Sequence, residues 1–399
     1  MKTANKNRCY FQSGGPTQVI NSTFVGLYSE FSGDPNHGKL YVSRYGVNGL
    51  IKGKLENILP GKDKEYRRLL TTPGAEFGSA RIKLNNDFDS PVRQAIAKSL
   101  AKYKIGYLFV NGGNDSRESA ALIQERVKAK NRDVHVIGLP KTIDNDLYGT
   151  DHCPGYGSAA KYVANSVIAI AKDDLSYEKG RINIVETRGR DSGFLAASAI
   201  LAKKKGLAPD FIYVPETPFD IQEFLDKAIA CYEKKKHCLI VVSEGIRNKD
   251  NELIVSQKQK DSFGNIQIGG VANYLASLIA EKGIKTRGIE LSLLNRASTF
   301  LPSFQDIQES GACGGNAYHR ALEGLSGVMV TIQRSHSLPY EFGIDAVPLS
   351  EVIGKTKQLP LSYITESKDN IKDSFINYVA PLIIGRFDPL DDDGLLNIE

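Results

Sequence analysis

Residues 134–146 read Val-His-Val-Ile-Gly-Leu-Pro-Lys-Thr-Ile-Asp-Asn-Asp, an apolar run that changes at once into a charged segment. The apolar part predicts a buried strand, and the polar part predicts the loop at its carboxyl end. Asp144 and Asp146 would point the same way if this loop is extended. One carboxylate could then accept a proton while the other orients a metal ion, and Lys141 would offer a compact charge to phosphate. The alternative is an ordinary polar surface loop.

Short apolar strands alternate with amphipathic helical patterns along the chain. We predict strands at 8–12, 40–44, 105–110, 134–139, 181–186, 210–214, 238–242, 286–294 and 327–333. We predict helices at 16–31, 90–103, 116–130, 158–172, 192–204, 220–236 and 269–282. This alternation predicts an α/β protein with a parallel, doubly wound sheet and helices on both faces. A chain of 399 residues has room for two or three domains of ordinary size.

Two other predicted strands run into paired glycines, in Ser13-Gly14-Gly15-Pro16 and in Asn111-Gly112-Gly113-Asn114-Asp115-Ser116. Open α/β sheets bind ligands beyond the carboxyl ends of their strands, where glycine lets the backbone approach a phosphate and the next helix N-terminus stabilises its charge. Each pair could instead be a tight turn, and Ser116 could cap its helix. Asp115 beside a phosphate indicates a bridging Mg²⁺, although a helix N-terminus also favours an acidic residue.

Arginines cluster near the ends of the predicted strands. They are Arg81, Arg181, Arg188, Arg190, Arg287 and Arg296. Any one of them could be an ordinary surface residue. Together they fit a substrate that carries two phosphates, because a guanidinium group binds phosphate at two points.

The overall composition narrows the class of protein. The hydrophobic fraction is 41% and the charged fraction 24%, as in ordinary globular proteins rather than disordered or fibrous ones. A net charge of +5 over 399 residues is too weak to predict a nucleic acid partner. Apolar runs are too short for a membrane span, and the polar first residues predict no signal peptide. Five cysteines without a CxxC pair favour a reduced, cytoplasmic setting.

Five motifs, in chain order, resemble those of the phosphofructokinase family, specifically its pyrophosphate-dependent branch. They are Ser-Gly-Gly-Pro, Gly-Gly-Asn-Asp-Ser, Pro-Lys-Thr-Ile-Asp-Asn-Asp, Gly-Arg-x-x-Gly and Ser-Glu-Gly, and the resemblance covers about residues 8–335. It implies two Rossmann-like three-layer αβα domains with mainly parallel sheets and an active site in the cleft between them. It also implies reversible phosphoryl transfer from pyrophosphate to the 1-hydroxyl of fructose 6-phosphate, giving fructose 1,6-bisphosphate and phosphate in glycolysis or gluconeogenesis.

The resemblance also implies a role for particular residues. Asp144 matches the base that takes the hydroxyl proton, Asp146 the second carboxylate near the metal, and Thr142 the hydroxyl that meets the transferred phosphate beside Lys141. Positions that match phosphate-donor contacts are Gly14, Gly15, Arg81, Gly113, Asp115, Ser116 and Arg190. Positions that match sugar-phosphate contacts are Arg181, Arg188, Gly189, Glu244, Arg287 and Arg296. Asp115 and Asp146 would hold Mg²⁺ through Mg-pyrophosphate.

Subunit organisation and domain bounds also follow from the resemblance. Arg181 and Arg287 match residues that a neighbouring subunit supplies in the family, which implies a homodimer or homotetramer with shared active sites. Residues 1–157, with about 295–345, would form the domain that binds the phosphate donor. Residues 158–294, with about 346–399, would form the domain that binds the sugar phosphate, and the acidic end at 388–393 would be a solvated tail.

Several positions bear on the choice of substrate. ATP-using relatives have glycine where this chain has Asp115 and Lys141, so these two side chains favour pyrophosphate as the donor. The chain also departs from the family pattern at Asn114, Arg188, Leu293 and Asn295. Asn114 brings no charge to a metal ion and so bears on metal affinity. Leu293 and Asn295 lie in the sugar-phosphate loop and leave open the acceptor, for which sedoheptulose 7-phosphate is a further candidate.

The sequence bears on three alternative functions. An ATP-dependent 6-phosphofructokinase of the same fold is disfavoured by Lys141 and Asp115. A non-catalytic regulatory subunit of the same family would not need both Asp144 and Asp146. A dinucleotide-binding dehydrogenase would require a Gly-x-Gly-x-x-Gly motif after a strand, which the sequence lacks.

Overall fold

The computed structural model describes residues 6–130, 133–255, 269–388 and 394–396. Strands in this part of the chain are β1 (Asn7–Ser13), β2 (Leu40–Val42), β3 (Glu56–Ile58), β4 (Ser79–Ala80), β5 (Ile105–Gly112), β6 (His135–Pro140), β7 (Ile182–Thr187), β8 (Phe211–Tyr213), β9 (Cys238–Ser243), β10 (Thr286–Glu290), β11 (Val328–Ser337) and β12 (Tyr340–Pro348). They form two separate sheets.

Helices join the strands. They are α1 (Ile20–Gly33), α2 (Val47–Lys52), α3 (Asp63–Arg67), α4 (Pro91–Lys102), α5 (Asn114–Ala129), α6 (Tyr156–Asp174), α7 (Phe194–Ser198), α8 (Ile221–Lys235), α9 (Val271–Ala280), α10 (Leu294–Ala297), α11 (Phe304–Leu322), α12 (Leu349–Val352) and α13 (Ser374–Val379). Short 3₁₀ helices lie at Arg68–Leu70, Ala199–Lys205, Leu361–Tyr363 and Ala380–Ile383.

The larger sheet has the strand order β12-β11-β6-β5-β1-β2-β3, and β4 also pairs with β1. Its neighbouring strands are parallel except for β2–β3 and β11–β12 at the two edges. Side chains of β5 alternate between the faces, with Tyr107 and Phe109 on one side and Leu108 and Val110 on the other. The first face packs against α1 and α11, and the second against α2, α4 and α5.

Glycines bring the backbones of α1 and α11 almost into contact. A β-carbon on Gly26 would lie 2.0 Å from the carbonyl oxygen of Gly311, and one on Gly314 would lie 2.0 Å from that of Thr23. No helix was predicted at α11, because Gly311, Gly314 and Gly315 give this segment a poor helix propensity. The same glycines permit the close packing, so tertiary contacts outweigh propensity here.

The smaller sheet is entirely parallel and has the strand order β10-β7-β9-β8. In β9, Ile240 and Val242 pack against α8 and α9, whereas Leu239 and Val241 pack against α6 and α7. Each sheet is therefore covered by helices on both faces. This arrangement confirms the predicted α/β fold with three-layer αβα organisation and mainly parallel sheets.

Some predicted bounds are wrong. The strand predicted at 286–294 ends as β10 at Glu290, and α10 follows it. Short apolar runs do not distinguish a strand from a helix, which explains this error. The helix predicted at 16–31 begins only at Ile20, and the helix predicted at 192–204 is α7 followed by a 3₁₀ helix. The edge strand β12 was not predicted.

The chain after β12 passes from one sheet to the other. Leu349 and Val352 still pack in the core of the larger sheet, whereas Leu359 and Phe375 pack in the core of the smaller sheet. The domain bounds stay a prediction, and the crossing lies a little beyond the predicted 345. Of the predicted acidic tail, only Asp388 is within the described residues. In the described part of the chain, no helix has both the length and the apolarity that a membrane crossing needs.

Candidate active site

Loops at the carboxyl ends of strands from both sheets face one cavity of about 720 Å³. Predicted site residues that line it are Gly14, Gly15, Arg81, Gly113, Asp115, Ser116, Lys141, Thr142, Asp144, Asp146, Arg188, Arg190, Glu244 and Arg296. The structure thus brings the glycine loops, both carboxylates and four of the six arginines to one place between the two sheets.

The first glycine loop lies against three cationic side chains. Gly14 has a φ of 79°, and Lys141 donates a 2.6 Å hydrogen bond from Nζ to the carbonyl oxygen of Gly15. A β-carbon on Gly15 would lie 2.7 Å from Nη1 of Arg296 and 3.4 Å from Nη2 of Arg81. The predicted helix N-terminus directly after this loop is wrong, because α1 begins several residues later. Side chains rather than a helix dipole supply the positive charge here.

At the second glycine loop, the helix does begin at once. Gly113 is the N-cap residue of α5, and Asn114, Asp115 and Ser116 of its first turn line the cavity. The alternative that Ser116 caps the helix is wrong, because Gly113 is the N-cap residue and no side chain caps this helix. The Ser116 hydroxyl instead donates to Oγ of Ser13 at 2.8 Å. This bond ties the two glycine loops together and leaves the helix N-terminus facing the cavity, where it favours an anion.

Asp144 and Asp146 both line the cavity, but not through an extended loop. Asn145 between them has a φ of 57°, so the backbone is left-handed there and the expected extended geometry is wrong. Asn114 donates from Nδ2 to Oδ2 of Asp146 at 2.6 Å, and Thr142 Oγ1 accepts from the N–H of Asp144 at 3.2 Å. Oδ1 of Asp144 is buried and has no hydrogen-bond partner among the described residues.

Burial changes the proton affinity of three of these groups. It raises the pKa of Asp144, and burial with the charge of Asp144 raises the pKa of Asp146 to about 7. Burial, with the charges of Arg81 and Arg296, lowers the pKa of Lys141 to about 7. A bound polyanion would favour the charged form of this lysine, and a bound cation would favour ionised carboxylates.

The smaller sheet contributes a second polar wall. Nη2 of Arg188, in the loop after β7, lies 4.0 Å from Oε1 of Glu244, in the loop after β9. Gly189 has a φ of 124°, and its N–H donates to the same oxygen at 3.3 Å. Burial raises the pKa of Glu244 to about 7. A carboxyl group so placed can exchange hydrogen bonds with the hydroxyls of a sugar.

Two of the predicted arginines do not reach this cavity. Arg181 immediately precedes β7 and Arg287 is near the start of β10. Both therefore lie at the amino ends of strands in the smaller sheet, whereas the cavity lies at the carboxyl ends. Arg181 Nε lies 3.4 Å from Oδ1 of Asp174, and its guanidinium lies over the ring of Tyr177. Arg287 is exposed. Within one chain, neither can contact a ligand that binds between the sheets.

Part of the cavity lining was not predicted from the sequence. Gly269, Gly270 and Thr356 all contribute to it. The first two carry the same paired-glycine signal as the other loops, and here the carboxylate of Glu186 accepts the N–H groups of Gly270 at 3.1 Å and Ala272 at 2.9 Å. Thr356 had no sequence signal, because it comes from a distant part of the chain.

Comparisons with known proteins show the same family that the motifs resemble. A family model described as phosphofructokinase matches residues 8–319. The chain belongs to the phosphofructokinase family. It is 36% identical over 388 residues to "Pyrophosphate--fructose 6-phosphate 1-phosphotransferase" of Xanthomonas campestris pv. campestris (strain B100), covering 96% of this chain and 92% of that one.

Two further proteins are similar to this chain over most of its length. A crystal structure of "Pyrophosphate-dependent phosphofructokinase" from Marinobacter aquaeolei matches with a TM-score of 0.88 and 33% identity, covering 98% of this chain and 95% of that one. A "Sulfofructose kinase" of Alkalicoccus urumqiensis is 32% identical, covering 90% of this chain and 91% of its own. Proteins at this level of identity therefore carry names with two different sugar substrates.

Proposed function

We propose that this phosphofructokinase transfers a phosphoryl group from pyrophosphate to the 1-hydroxyl of fructose 6-phosphate, releasing phosphate. The single observation that carries the proposal is the Asp144 carboxylate. Its Oδ1 is buried and has no hydrogen-bond partner among the described residues, in a cavity that Lys141 and four arginines also line. An acceptor oxygen without a partner, among so many cations, suits a base that meets a hydroxyl beside a phosphate.

Each side chain has a defined part in the transfer. Asp144 accepts the hydroxyl proton while the hydroxyl oxygen bonds to phosphorus and the bond to the departing phosphate breaks. Burial raises the pKa of Asp144, which makes its ionised form a stronger base. Lys141, Thr142 and Arg190 would hold the transferred and departing phosphates. Phosphoryl transfer depends mostly on such positioning and on charge stabilisation.

The acidic residues of the cavity fit a Mg²⁺ that is bound together with pyrophosphate. Asp115 and Asp146 line the cavity, yet the tight cluster of three metal-ligating side chains among the described residues lies elsewhere, at Asp210, Cys231 and Cys238. An open set of one or two carboxylates is what Mg²⁺ uses when substrate phosphates complete its coordination. When bound, the ion would neutralise charge on the phosphates.

Pyrophosphate as the donor is supported by Lys141 and Asp115. The Nζ atom of Lys141 lies 3.3 Å from the position that a β-carbon on Gly14 would take, so the charged end of the lysine packs directly against the first glycine loop. A small, dense anion can use this charge, whereas a nucleotide would need the space. An ATP-dependent enzyme is the alternative that these two side chains disfavour.

The sugar phosphate would bind against Arg188, Glu244 and Arg296, and the 6-phosphate would need further cations. Arg181 and Arg287 lie outside the cavity of their own chain. We therefore propose that a second subunit supplies them, in a cytoplasmic homodimer or homotetramer with shared sites.

A coupled assay tests the proposed function. Purified chain with Mg²⁺ is offered pyrophosphate or ATP, each with fructose 6-phosphate or sedoheptulose 7-phosphate. We expect turnover with pyrophosphate and fructose 6-phosphate. Turnover with ATP and none with pyrophosphate would reject the donor, and no turnover with any pair of substrates would favour the regulatory-subunit alternative. An Asp144→Asn variant as active as an active unmodified chain would reject Asp144 as the base. Asp345→Asn, at an exposed position, is the matched control.

A further inference from the structure

Asn145 is held in a left-handed backbone conformation by its own side chain. It is fully buried and has a φ of 57°. Its Oδ1 accepts from the N–H of Cys153 at 3.0 Å and from Nζ of Lys357 at 3.1 Å, and its Nδ2 donates to the hydroxyl of Tyr378 at 2.8 Å. Asparagine tolerates this conformation better than most residues, but it still has a cost that the surroundings must offset. These contacts therefore fix the residue that separates the two cavity carboxylates.

Lys357 stabilises the loop that follows Asn145. Its Nζ donates to the carbonyl oxygens of Thr150 at 3.2 Å and Asp151 at 2.7 Å, besides the contact with Asn145. Its backbone N–H donates to the carbonyl oxygen of Asp146 at 2.8 Å, and the residues next to this pair form an antiparallel bridge. Burial lowers the pKa of Lys357. The side chain is partly buried, and all three hydrogen bonds of its charged end go to oxygens of the loop that carries Asp144 and Asp146, so these contacts bear directly on that loop's conformation.

Tyr378 belongs to the same hydrogen-bond network. Its hydroxyl accepts from Asn145 and donates to the carbonyl oxygen of Asp151 at 2.8 Å. The guanidinium of Arg334 lies 4.6 Å from the centre of the Tyr378 ring and donates to its carbonyl oxygen at 3.0 Å. The ring also packs 5.8 Å from that of Phe194. The tyrosine is thus fixed by packing as well as by hydrogen bonds.

The segment that carries Lys357 also reaches the smaller sheet. The N–H of Leu359 donates to Oε1 of Glu216 at 2.8 Å, and the same oxygen accepts from the N–H of Gly193 at 2.8 Å. Gly193 ends the loop that carries Arg188 and Arg190. One short segment therefore connects the carboxylate loop of the larger sheet to the arginine loop of the smaller one.

We propose that Lys357 and Tyr378 are positioning residues, which act through Asn145 to set the Asp144 and Asp146 carboxylates for phosphoryl transfer. The inference rests on the proposed function. Neither residue lines the cavity. Both lie beyond residue 319, where the match to the family model ends. The C-terminal segment of this chain therefore takes part in arranging the site as well as in packing the smaller sheet.

A positioning role predicts a change in rate rather than in binding. Lys357→Met keeps an unbranched apolar side chain of nearly the same length but removes its three polar contacts. We expect kcat to fall by about 10- to 100-fold, because a misplaced reacting group can cost about that much, while the KM for pyrophosphate stays unchanged. Lys357→Arg should recover part of the rate, since it restores a donor group. Lys372→Met, at an exposed position of the same segment, is the matched control and should behave as the unmodified chain.

Tyr378→Phe provides an independent test, because it removes one hydroxyl and leaves the ring in place. We expect a smaller fall in kcat and an effect in the double variant that is not additive, since both residues act through Asn145. Hydrogen exchange of residues 142–153 supplies a readout that does not depend on activity. Both variants should speed exchange in this loop while exchange in α4 stays as it was.

The outcomes separate the two proposals. An active unmodified chain with an unchanged kcat in Lys357→Met would overturn the positioning role. A variant with lower thermal stability, a raised KM and a lowered kcat, none of which recovers in Lys357→Arg, would also overturn it and leave a purely structural role. If the unmodified chain does not use pyrophosphate, the proposed function fails, and hydrogen exchange alone decides: faster exchange in residues 142–153 supports positioning, and unchanged exchange rejects it.

Discussion

Lys141 Nζ lies 2.6 Å from the backbone carbonyl oxygen of Gly15, so the loop after β6 is bonded directly to the loop after β1. Arg296 and Arg81 approach the same glycine from other parts of the chain. The lysine therefore lies where three positive side chains converge, and burial together with repulsion by Arg81 and Arg296 lowers its pKa to about 7. Such a group gains most from a ligand that brings several negative charges into a small volume.

Replacing Lys141 with methionine should weaken the use of pyrophosphate. We expect kcat/KM for pyrophosphate to fall by about 10- to 100-fold, because a hydrogen bond to a charged group is lost. Thermal unfolding should be unchanged or occur at higher temperature, since a poorly solvated charge is removed. Steady-state kinetics with varied pyrophosphate measure the first effect and calorimetry the second. Lys98→Met, at an exposed position of α4, is the control, and equal kinetics in the two variants would contradict the role of Lys141.

Subunit sharing predicts that two inactive variants restore each other. Arg287→Ala leaves the cavity of its own chain intact, because the arginine lies at the far edge of the smaller sheet. Asp144→Asn removes the base but keeps Arg287. If each site takes Arg287 from its neighbour, a mixed oligomer contains one site with both residues intact. We expect activity to reappear when the two variants are denatured and refolded together, and sedimentation to show an oligomer.

The control for that mixture refolds each variant alone. Neither should regain activity. A monomer in sedimentation, or a mixture that stays inactive although mixed oligomers form, would count against shared sites. Normal activity of Arg287→Ala by itself would show that this arginine has no part in binding the sugar phosphate.

The sequence predicted which residues line the cavity better than it predicted the backbone around them. Motif residues after strands, such as Lys141 and Glu244, were found because parallel strands bring their carboxyl ends to one edge, so order along the chain predicts proximity. The left-handed turn at Asn145 was missed, because side-chain contacts from Lys357 and Tyr378, far along the chain, stabilise it. Tertiary contacts of this kind leave no local pattern in the sequence.

The glycine contact between α1 and α11 predicts a loss of stability in Gly314→Ala. The new β-carbon would lie 2.0 Å from the carbonyl oxygen of Thr23, so the helices must separate. We expect the free energy of unfolding to fall by about 1–3 kcal/mol, as in other overpacked cores, although alanine is the better helix former. Gly33→Ala is the matched control, because nothing lies within 4 Å of its β-carbon position. Urea unfolding should separate the two variants, and equal midpoints would contradict the packing interpretation.

His152 forms a buried ion-pair network that the proposed reaction does not use. Its Nδ1 lies 2.8 Å from Oδ1 of Asp151, and its Nε2 lies 2.7 Å from Oε2 of Glu309. Arg334 also pairs with Asp151, and the Tyr340 hydroxyl donates to Glu309. Burial alone would lower the pKa of His152, but the two carboxylates raise it from 6.5 to about 9. The two carboxylates outweigh the effect of burial on this pKa and keep the imidazole charged at neutral pH.

The raised pKa of His152 makes the stability of the fold depend on pH. A group whose pKa is higher in the folded state stabilises fully below its unfolded value, and the contribution disappears as pH rises through the folded value. We therefore expect the difference in unfolding free energy between the unmodified chain and His152→Gln to shrink by about 3 kcal/mol between pH 6.5 and 9. Urea titrations at several pH values measure this difference. Gln358→Ala, at an exposed position without a titratable side chain, is the control and should leave the pH dependence as it is in the unmodified chain. Parallel pH curves for the unmodified chain and His152→Gln would mean that the imidazole is neutral in the folded protein.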